Sequence, residues 1–504
     1  MGYTEGVTVI SFERIPPKFN EDILLSILKE HSDRIFNGIK RFELRKIIPK
    51  NVPRRVFVYE AEGSKSIVGH FVVDQILSGP PPELWEHVGP SASSRARFFK
   101  YFAGRSQAYA YEIGETVRYR SPIPITRLQE LDARISVPQS FQYIDFLSPS
   151  RKLLIQEAQS AALNDLDASI ALQHIEPKNE QQFIELVERH ISGSYQETGA
   201  AYARKLLEID ASGDDPEGII TQSKLILQVL VEGQMAGFVV LTEKAGGALK
   251  TGPTLFFDEF QRQGIGVHLR SCLHKYARAM GYRKVYCTFP ANKIASSKYL
   301  LSAGYRVEAH LRKHYHPDHD ELVFGYSLSK YRFPSPGTRR GLAELLDIRR
   351  LETFDAEVVQ FLEEQFAAEV CPIPSGWAAE QVRVAAACTK GSHRSSSFKP
   401  RWIFVARGIA IEAVCIVIFK RGGSAKLIIL TSTANPVGLN SLLGTVERSI
   451  IRSKFFVRKV YTHVRVGDVE VFSALFGRGY SPEGLLDRPY VDWHDTVVVG
   501  KLIK

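Results

Sequence analysis

The sequence predicts a multi-domain protein of mixed α+β and α/β class, with a β-rich N-terminal domain followed by two copies of a fold in which helices flank a mixed sheet. The first observation is the length, because 504 residues exceed a single core at roughly 100 to 200 residues per domain. The second is the composition, with 44% apolar and 24% charged residues, which is typical of folded chains. The third is an internal repeat, described below.

Two changes in composition divide the chain. After Ser148-Pro149 an aromatic, strand-like segment gives way to a helix-forming stretch, which predicts a helical connector at 151–168. Residues 332–341 are rich in Pro and Gly and lack apolar periodicity, which predicts a linker. The predicted domains are 1–150, 169–331 and 342–504.

The N-terminal region carries charged residues beside a predicted strand. A short helix runs through Gly38 into a strand that contains Lys40, Glu43 and Arg45. In a regular strand Lys40 faces one side while Glu43 and Arg45 face the other, although a bend or bulge would alter this. Charges of both signs so close together predict either a polar cleft or a solvated strand with a local salt bridge.

This region resembles the ASCH family of small β-barrels, which are similar to PUA domains, over nearly all of residues 8–145. Besides the charged motif, the shared pattern includes Val56-Phe-Val-Tyr59, Ile67-Val-Gly-His-Phe71, Leu84-Trp85 and residues 101–113. The resemblance implies an RNA- or nucleotide-binding domain with Lys40, Glu43 and Arg45 at its ligand site. Some small members hydrolyse acetylated cytidine with a lysine, a threonine and a glutamate, but here Glu43 stands where that threonine would be.

The later part of the chain repeats itself at an offset of 175 residues. Without any gap, 14 of 46 positions are identical between residues 283–328 and 458–503. The identities include Arg283-Lys-Val-Tyr286 with Arg458-Lys-Val-Tyr461, Gly304-Tyr305 with Gly479-Tyr480, Glu308 with Glu483 and Tyr315 with Tyr490. We therefore expect residues 169–331 (the first copy) and 342–504 (the second copy) to share one fold by duplication.

The first copy alternates strand-like and helical runs. We predict strands at 225–231, 236–242, 254–257, 285–289, 305–311 and 321–328, and helices at 267–280 and 295–303. This order predicts a mixed sheet covered by helices.

A glycine-containing turn, Gln261-Arg-Gln-Gly264-Ile-Gly266, stands between the strand at 254–257 and the helix at 267–280. Glycines at such a turn let the backbone approach an anion closely, and the N–H groups and dipole of the new helix then bind a pyrophosphate. Taken alone, the two glycines also fit an ordinary tight turn.

The segment from this turn onward resembles the GNAT acetyltransferase family, whose phosphate turn reads Q/R-x-x-G-x-G/A, and the resemblance covers about residues 169–330. It implies acetyl-CoA as cosubstrate, with strand backbone groups on the pantetheine arm and the amides of 263–267 on the pyrophosphate. The predicted cofactor-binding residues are Phe256, Phe257, Gln261, Arg262, Gln263, Gly264, Ile265, Gly266, Val267 and Asn292.

Acetyl transfer to an amine also needs an acid that protonates the departing thiolate. In many GNAT members the helix pattern N-x-x-A-x-x-x-Y supplies a tyrosine, and Asn292, Ala295 and Tyr299 fit it. If the helix is registered backwards from Gly304, Leu300 occupies that slot instead.

Tyr315, in the polar stretch 313–320, is a second candidate acid. The His and Asp residues of that stretch suit a solvated loop at least as well as a metal site, so we predict no metal. The general base stays open, because Asp258 and Glu259 lie beside the turn without a spacing that assigns either of them.

In the second copy the offset of 175 aligns the phosphate turn with residues 436–441, where Leu439 and Ser441 replace the two glycines. Side chains at these positions would obstruct a pyrophosphate. We therefore predict a degenerate, non-catalytic copy that packs against the first, shapes the acceptor cleft or holds a substrate.

The net charge of +10 is unevenly distributed. Lys and Arg exceed Asp and Glu by three in residues 1–150, balance them in 151–330, and exceed them by seven in 331–504. A polyanion such as RNA would be met by the last third, helped by the first; a basic, solvated surface is the equal alternative.

We expect a soluble, cytoplasmic protein without a membrane partner, because no apolar run approaches the ~18 to 20 residues of a membrane span. The five cysteines are an odd number without a C-x-x-C pair, which favours buried thiols over disulfides or structural zinc. They are Cys272, Cys287, Cys371, Cys388 and Cys415.

Together these features predict an acetyl-CoA-dependent N-acetyltransferase whose ASCH-like and basic C-terminal domains recruit or position the acceptor, with RNA or a translation-associated protein as candidates. One alternative is a non-catalytic RNA- or nucleotide-binding regulator that at most senses acetyl-CoA. Another is a nucleoside-level enzyme centred on Lys40.

Overall fold

The structure, a computed structural model, forms two compact units. The first unit contains the described part of 1–165 with 275–281 and 329–331, and the second contains that of 166–274, 282–328 and 332–504. The predicted linker 332–341 and Cys371 lie outside the described residues. The residues described are 13–15, 18–145, 148–166, 169–191, 198–212, 221–244, 246–330, 346–370, 373, 376–389, 400–420, 422–432, 436–487, 489–490 and 495–503.

The first unit is built on a mixed sheet of seven strands, as predicted for a barrel-type domain. In sheet order the strands run β3-β6-β5-β4-β2-β7, and β1 pairs with β5. The strands are β1 (Glu13–Ile15), β2 (Lys18–Ile27), β3 (Phe42–Arg45), β4 (Pro53–Glu60), β5 (Ser66–Gly79), β6 (Ala108–Pro124) and β7 (Phe141–Tyr143). The helices are α1 (Lys29–Phe36), α2 (Pro81–Val88), α3 (Arg95–Tyr101), α4 (Ile125–Leu131) and α5 (Pro149–Asn164).

Both faces of this sheet are covered by apolar side chains. Val56, Phe71 and Ile35 belong to one buried cluster, whereas Leu77 and Phe98 belong to another. The long strands β5 and β6 contribute to both clusters because alternate residues of a strand point to opposite faces. The register shifts between these two strands are bulges of the kind that bend a sheet.

The first copy forms the start of the second unit, and its elements from residue 221 onward follow the predicted order. Its strands are β8 (Ile170–His174), β9 (Thr221–Val231), β10 (Gln234–Lys244), β11 (Ala248–Phe256), β12 (Lys284–Pro290), β13 (Arg306–Leu311) and β14 (Glu321–Ser327). Its helices are α6 (Glu180–Ile191), α7 (Gly199–Ser212), α8 (Ile265–Ala279) and α9 (Ile294–Ser302).

The second copy repeats this order of strands and helices. Its strands are β15 (Asp347–Arg350), β16 (Arg401–Arg407), β17 (Ile411–Lys420), β18 (Ser424–Thr431), β19 (Lys459–Arg465), β20 (Ser481–Leu486) and β21 (Thr496–Leu502). Its helices are α10 (Ala356–Glu369), α11 (Trp377–Thr389), α12 (Pro436–Ile451) and α13 (Val469–Gly477).

The two copies share one sheet of 14 strands, ordered β15-β16-β17-β18-β19-β21-β20-β13-β14-β12-β11-β10-β9-β8. They meet where β13 pairs with β20, through Ala309 and Gly484. Gly484 is the counterpart of Ala309 at the offset of 175. The corresponding strands of the two copies, β13 and β20, therefore pair with each other at the junction. A Cβ on Gly484 would come within 2.2 Å of the Ala309 Cα, so glycine is required for this close approach.

Several repeated identities are explained by buried contacts. Lys284 forms an ion pair with Glu308, and the counterpart pair joins Lys459 Nζ to Glu483 Oε2 at 2.7 Å. The four side chains are at most 8% exposed, and a buried charge needs a partner. A Cβ on Gly325 would collide with the Glu308 carboxylate. Glycine at this position therefore leaves the room that the carboxylate of the ion pair occupies.

Candidate active site

Strands β11 and β12 are parallel and part after a short stretch of pairing. Residues 248–250 pair with 284–286, and within the described residues no further pair joins these strands. β11 stays paired with β10 up to Phe256. Backbone groups of β11 are therefore left facing a gap, where an extended ligand can add hydrogen bonds as a strand would.

The turn at 261–266 follows β11 and leads into α8. Arg262 and Gly264 have φ of 63° and 78°, a conformation that only glycine adopts without strain. The Val267 N–H donates to the Gly264 carbonyl at 3.0 Å, so this predicted amide is engaged within the helix. The first N–H groups of a helix have no carbonyl partner within that helix. At the start of α8 such N–H groups, together with the helix dipole, form an anion-binding terminus.

The outer side of this turn is open. A Cβ on Gly264 would meet no atom within 4 Å, and the closest atoms to a Cβ on Gly266 are those of Tyr299 at 3.7 Å. The space beside the backbone of Gly264 and Gly266 is therefore not filled by other protein atoms. This open space leaves room for a bound diphosphate.

The two glutamines of the turn bind back to the chain. Gln261 Nε2 donates to Asp258 Oδ1 at 2.9 Å and to the Phe256 carbonyl at 3.3 Å. Gln263 Nε2 donates to the Glu259 carbonyl at 2.5 Å. Both side chains thus hold the shape of the turn.

Phe256 and Phe257 differ in what their backbones can offer. The Phe257 N–H donates to the Ala236 carbonyl of β10 at 3.0 Å, so it is engaged within the sheet. Backbone groups of successive strand residues point to opposite sides, and those of Phe256 therefore point towards the gap between β11 and β12.

The remaining predicted cofactor residues lie close to the turn or on the next loop. Ile265 is buried, so only its backbone faces outward. Val267 is 55% exposed at the start of α8. Asn292 is exposed between β12 and α9.

Tyr299 lies beside the turn. Its hydroxyl donates to the Gly266 carbonyl in the first turn of α8, whereas Leu300, the residue favoured by the other register, is fully buried. Burial raises the pKa of Tyr299, and the neighbouring Arg270 opposes that rise. The phenol therefore stays protonated at neutral pH.

Arg270 was not identified from the sequence. It is buried, donates to the Thr251 hydroxyl, and also interacts with the Tyr299 and Tyr305 hydroxyls. It thereby connects β11 to the tyrosine beside the turn. The sequence pattern of α8 does not distinguish Arg270 from an arginine on the protein surface.

Glu321 was missed as well. It is the first residue of β14 and lies opposite Pro290 of β12 and Leu311 of β13. The side chain is 6% exposed, and burial raises its pKa to about 7, although Lys250 acts in the opposite direction. A carboxyl group with this pKa can accept a proton at neutral pH.

Tyr315 lies apart from the turn, on a cavity of about 310 Å³. Lys250, Tyr286 and Thr288, from the strands that part, line the same cavity. Asp258 and Glu259, the two acidic residues weighed as a base, are exposed.

The second copy differs from its prediction in the position of the lost turn. Helix α12 already begins at Pro436, so residues 436–441 lie inside a helix and not in a turn. Four residues (432–435) join β18 to α12, whereas eight (257–264) join β11 to α8. The ungapped alignment was wrong here, because a longer connection after α12 restores the offset.

In the first unit, Lys40 and Glu43 are in contact, which corrects the prediction that they face opposite sides. Lys40 precedes β3, and its Nζ lies 2.5 Å from Glu43 Oε2. Arg45 Nη1 lies 2.7 Å from Glu43 Oε1. Burial would raise the pKa of Glu43, but the adjacent Arg45 and Lys40 hold it below its usual value.

Unsatisfied polar atoms occur in this part of the first unit. Among the described residues, His31 Nδ1, Arg45 Nε and Tyr111 Oη are buried without a hydrogen-bond partner. Tyr111 pairs with Glu43 across β3 and β6. Buried polar atoms without a partner are uncommon in folded proteins.

No group of three or more His, Cys, Asp or Glu side chains able to hold a metal occurs in the described part of the chain. The described cysteines are free thiols. None of the described helices is long and apolar enough to cross a bilayer.

Comparisons with known proteins give the following similarities. Over 126 residues, 25% of this chain, the sequence is 28% identical to an ASCH domain-containing ribonuclease of Zymomonas mobilis, and the match covers 84% of that protein. A solved ASCH structure from Zymomonas mobilis has 27% identity, covers 28% of this chain and 95% of its own, and has a TM-score of 0.25. A spermidine N-acetyltransferase of Vibrio cholerae, solved with CoA and spermine, has 14% identity, covers 32% of this chain and 98% of its own, and has a TM-score of 0.27. The sequence matches no protein-family model.

The first unit is similar in sequence to an ASCH domain-containing protein over 126 residues, and the first copy has a mixed sheet flanked by helices with a glycine turn before α8. A particular feature of this chain is the second sheet-and-helix copy, which continues the sheet of the first copy through β20.

Proposed function

We propose that the protein is an acetyl-CoA-dependent N-acetyltransferase whose cosubstrate binds to the first copy, predicted as the domain 169–331. One observation carries the proposal: an open glycine turn begins α8 at the end of β11, where β11 has separated from β12. When bound, acetyl-CoA would supply an activated acetyl thioester. The amides of residues 263–266 would hold its diphosphate, and the Phe256 backbone would orient its pantetheine arm.

Two side chains can move protons in this reaction. Tyr299, protonated and beside the turn, would donate a proton to the leaving thiolate. Glu321, with a pKa of about 7, would accept the proton of the acceptor amine, directly or through water. Tyr315 is the reserve acid, since it lines the cavity next to these strands.

The second copy is proposed to be degenerate and non-catalytic. The connection between β18 and α12 is short, so few residues are available to form a phosphate turn. This observation supports the proposal that the second copy is non-catalytic. Its contribution would be to complete the wall of the acceptor site.

The ASCH domain is proposed to bind RNA or a nucleotide and so to recruit or position the acceptor, with the basic region 342–504 assisting. The cationic pair around Glu43 and the unsatisfied atoms of His31 and Tyr111 support this second function. Glu43 is held by two cations, so a binding role suits it better than a hydrolytic one.

Calorimetric titration with acetyl-CoA tests the main proposal. We expect wild type to bind and Gly264→Glu to lose binding, because a carboxylate would occupy the space and repel the diphosphate. Gly233→Glu is the matched control, since Gly233 also has a positive φ (82°) and no atom within 4 Å of its Cβ position. Equal affinity in wild type and Gly264→Glu, or no binding to wild type, would contradict the proposal. Binding without acetylation of any amine would favour the acetyl-CoA-sensing regulator.

A further inference from the structure

The cavity of about 310 Å³ lies between the two copies within the second unit, and both copies line it. Four pairs of residues that correspond at the offset of 175 line this cavity. They are Tyr286 with Tyr461, Leu311 with Leu486, Tyr315 with Tyr490, and Val323 with Val498. The duplication therefore builds one shared chamber.

Basic side chains dominate this chamber. Among the described lining residues there are six lysines and a single carboxylate, that of Glu308, which already pairs with Lys284. Lys426, which is 9% exposed, extends Nζ to the Tyr490 hydroxyl at 3.1 Å. The lysines are Lys224, Lys244, Lys250, Lys284, Lys420 and Lys426.

Two buried histidines add neutral polar groups. Burial, reinforced by nearby lysines, lowers the pKa of His314 and of His463 well below the usual value, so both rings are neutral at pH 7. His314 is 3% exposed, and its Nδ1 has no hydrogen-bond partner in the part of the chain that the structure describes. A buried ring nitrogen without a partner is uncommon, and the His314 side chain lines the cavity.

The chamber is adjacent to the gap between β11 and β12. Lys250 is the last residue of β11 that pairs with β12, and Lys250, Gly252 and Thr288 all line the cavity. A molecule held there lies next to the strands that would hold the pantetheine arm. Its size suits a small ligand, because ligand pockets start at about 300 Å³.

We propose that this chamber is the acceptor site and selects a small primary amine that carries a carboxylate or phosphate group, with both copies supplying the anion-binding wall. The proposal rests on the proposed acetyltransferase function. The lysines and tyrosine hydroxyls would bind the anion through charge-assisted hydrogen bonds. A polyamine would instead place further positive charge among the lysines.

Three small amines test this selection on the full-length protein: phosphoethanolamine, β-alanine and putrescine. Calorimetry without acetyl-CoA should detect binding of at least one of the two anionic amines and none of putrescine. Lys426→Met should weaken that binding by about tenfold or more, since a charge-assisted hydrogen bond is lost, and Lys250→Met provides a second variant. Lys178→Met is the control, because the Lys178 side chain is 73% exposed and does not line the cavity. Thermal unfolding verifies that each variant is folded.

Acetylation is then followed by release of the CoA thiol, and the anionic amine that binds should be the preferred acceptor. Putrescine binding as well as the anions, no anion binding, unchanged affinity in both folded lysine variants, or preferred acetylation of putrescine would each overturn the assignment. A separate titration with acetyl-CoA distinguishes the two proposals. Loss of acetyl-CoA binding with intact anion binding refutes the acetyltransferase function, whereas the reverse result refutes only the anion site.

Discussion

At the scale of single residues, the pKa of Glu321 makes a prediction about pH. If Glu321 is the base, it must be deprotonated to act, and its pKa is about 7. The acetylation rate constant kcat/KM should therefore fall about tenfold per pH unit below pH 7. In Glu321→Gln this acidic limb should disappear, with the rate at pH 8 reduced by about 10² to 10⁴.

Two comparisons make this test specific. Asp258→Asn, an exposed position beside the turn, should keep the wild-type pH profile. Tyr299→Phe should lower the rate at every pH without moving the acidic limb, because the tyrosine acts as an acid. An unchanged acidic limb in Glu321→Gln would remove Glu321 from the mechanism.

The sequence indicated some candidate site residues by their type and spacing, but it did not show the surroundings of their side chains. The glycine turn could be selected by spacing, because the backbone requirement at a helix start is local, whereas Tyr299 was selected only through the family pattern that the resemblance implies. Glu321 and Arg270 could not be selected, since their importance comes from burial by elements distant in the sequence. The contact of Lys40 with Glu43 was also hidden, because it depends on β3 beginning only at Phe42.

At the scale of elements, the order and type of strands and helices from β9 to β14 agree with the sequence prediction, whereas β8, α6 and α7 were not predicted. The predicted helix 267–280 is observed as Ile265–Ala279, and the predicted strand 285–289 as Lys284–Pro290. Such elements are readable because their apolar runs alternate with polar, glycine-containing turns. Strand β11 was predicted too short, at 254–257 instead of Ala248–Phe256, because Gly252 and Pro253 interrupt its pattern.

The junction of β13 with β20 makes the prediction at this scale. Gly484→Ala should lower the free energy of unfolding in urea by about 1 to 3 kcal/mol, because the added methyl group collides with the opposite backbone. Gly477→Ala, at the end of α13 with no atom within 4 Å of its Cβ position, is the matched control and should cost nothing. Equal stability of the two variants would show that the copies do not meet as closely as described.

At the scale of the whole molecule, the duplication was predictable and its consequence was not. Identities at a fixed offset revealed two related folds, but a repeat in the sequence does not say that the two sheets join edge to edge. The chamber between the copies exists only because the two sheets join, so no local sequence pattern could predict it. The predicted domain boundaries remain predictions.

The proposed role of the first unit makes a prediction about RNA binding. Fluorescence anisotropy with a labelled RNA should show binding at low salt that weakens as salt is raised, because released counterions drive such binding. Lys40→Ala should reduce the affinity, whereas Lys50→Ala, at an exposed position outside the Glu43 cluster, should change it less. Absence of RNA association at low salt would exclude the recruitment role.

The central claim is that backbone amides at the start of α8 hold the diphosphate of CoA. A crystal structure of the full-length protein grown with CoA tests it most directly. We predict density for the diphosphate against residues 263–266, with the thiol directed into the gap between β11 and β12 and no CoA at α12. Ordered CoA bound elsewhere, or a saturated crystal with this turn unoccupied, would contradict the account.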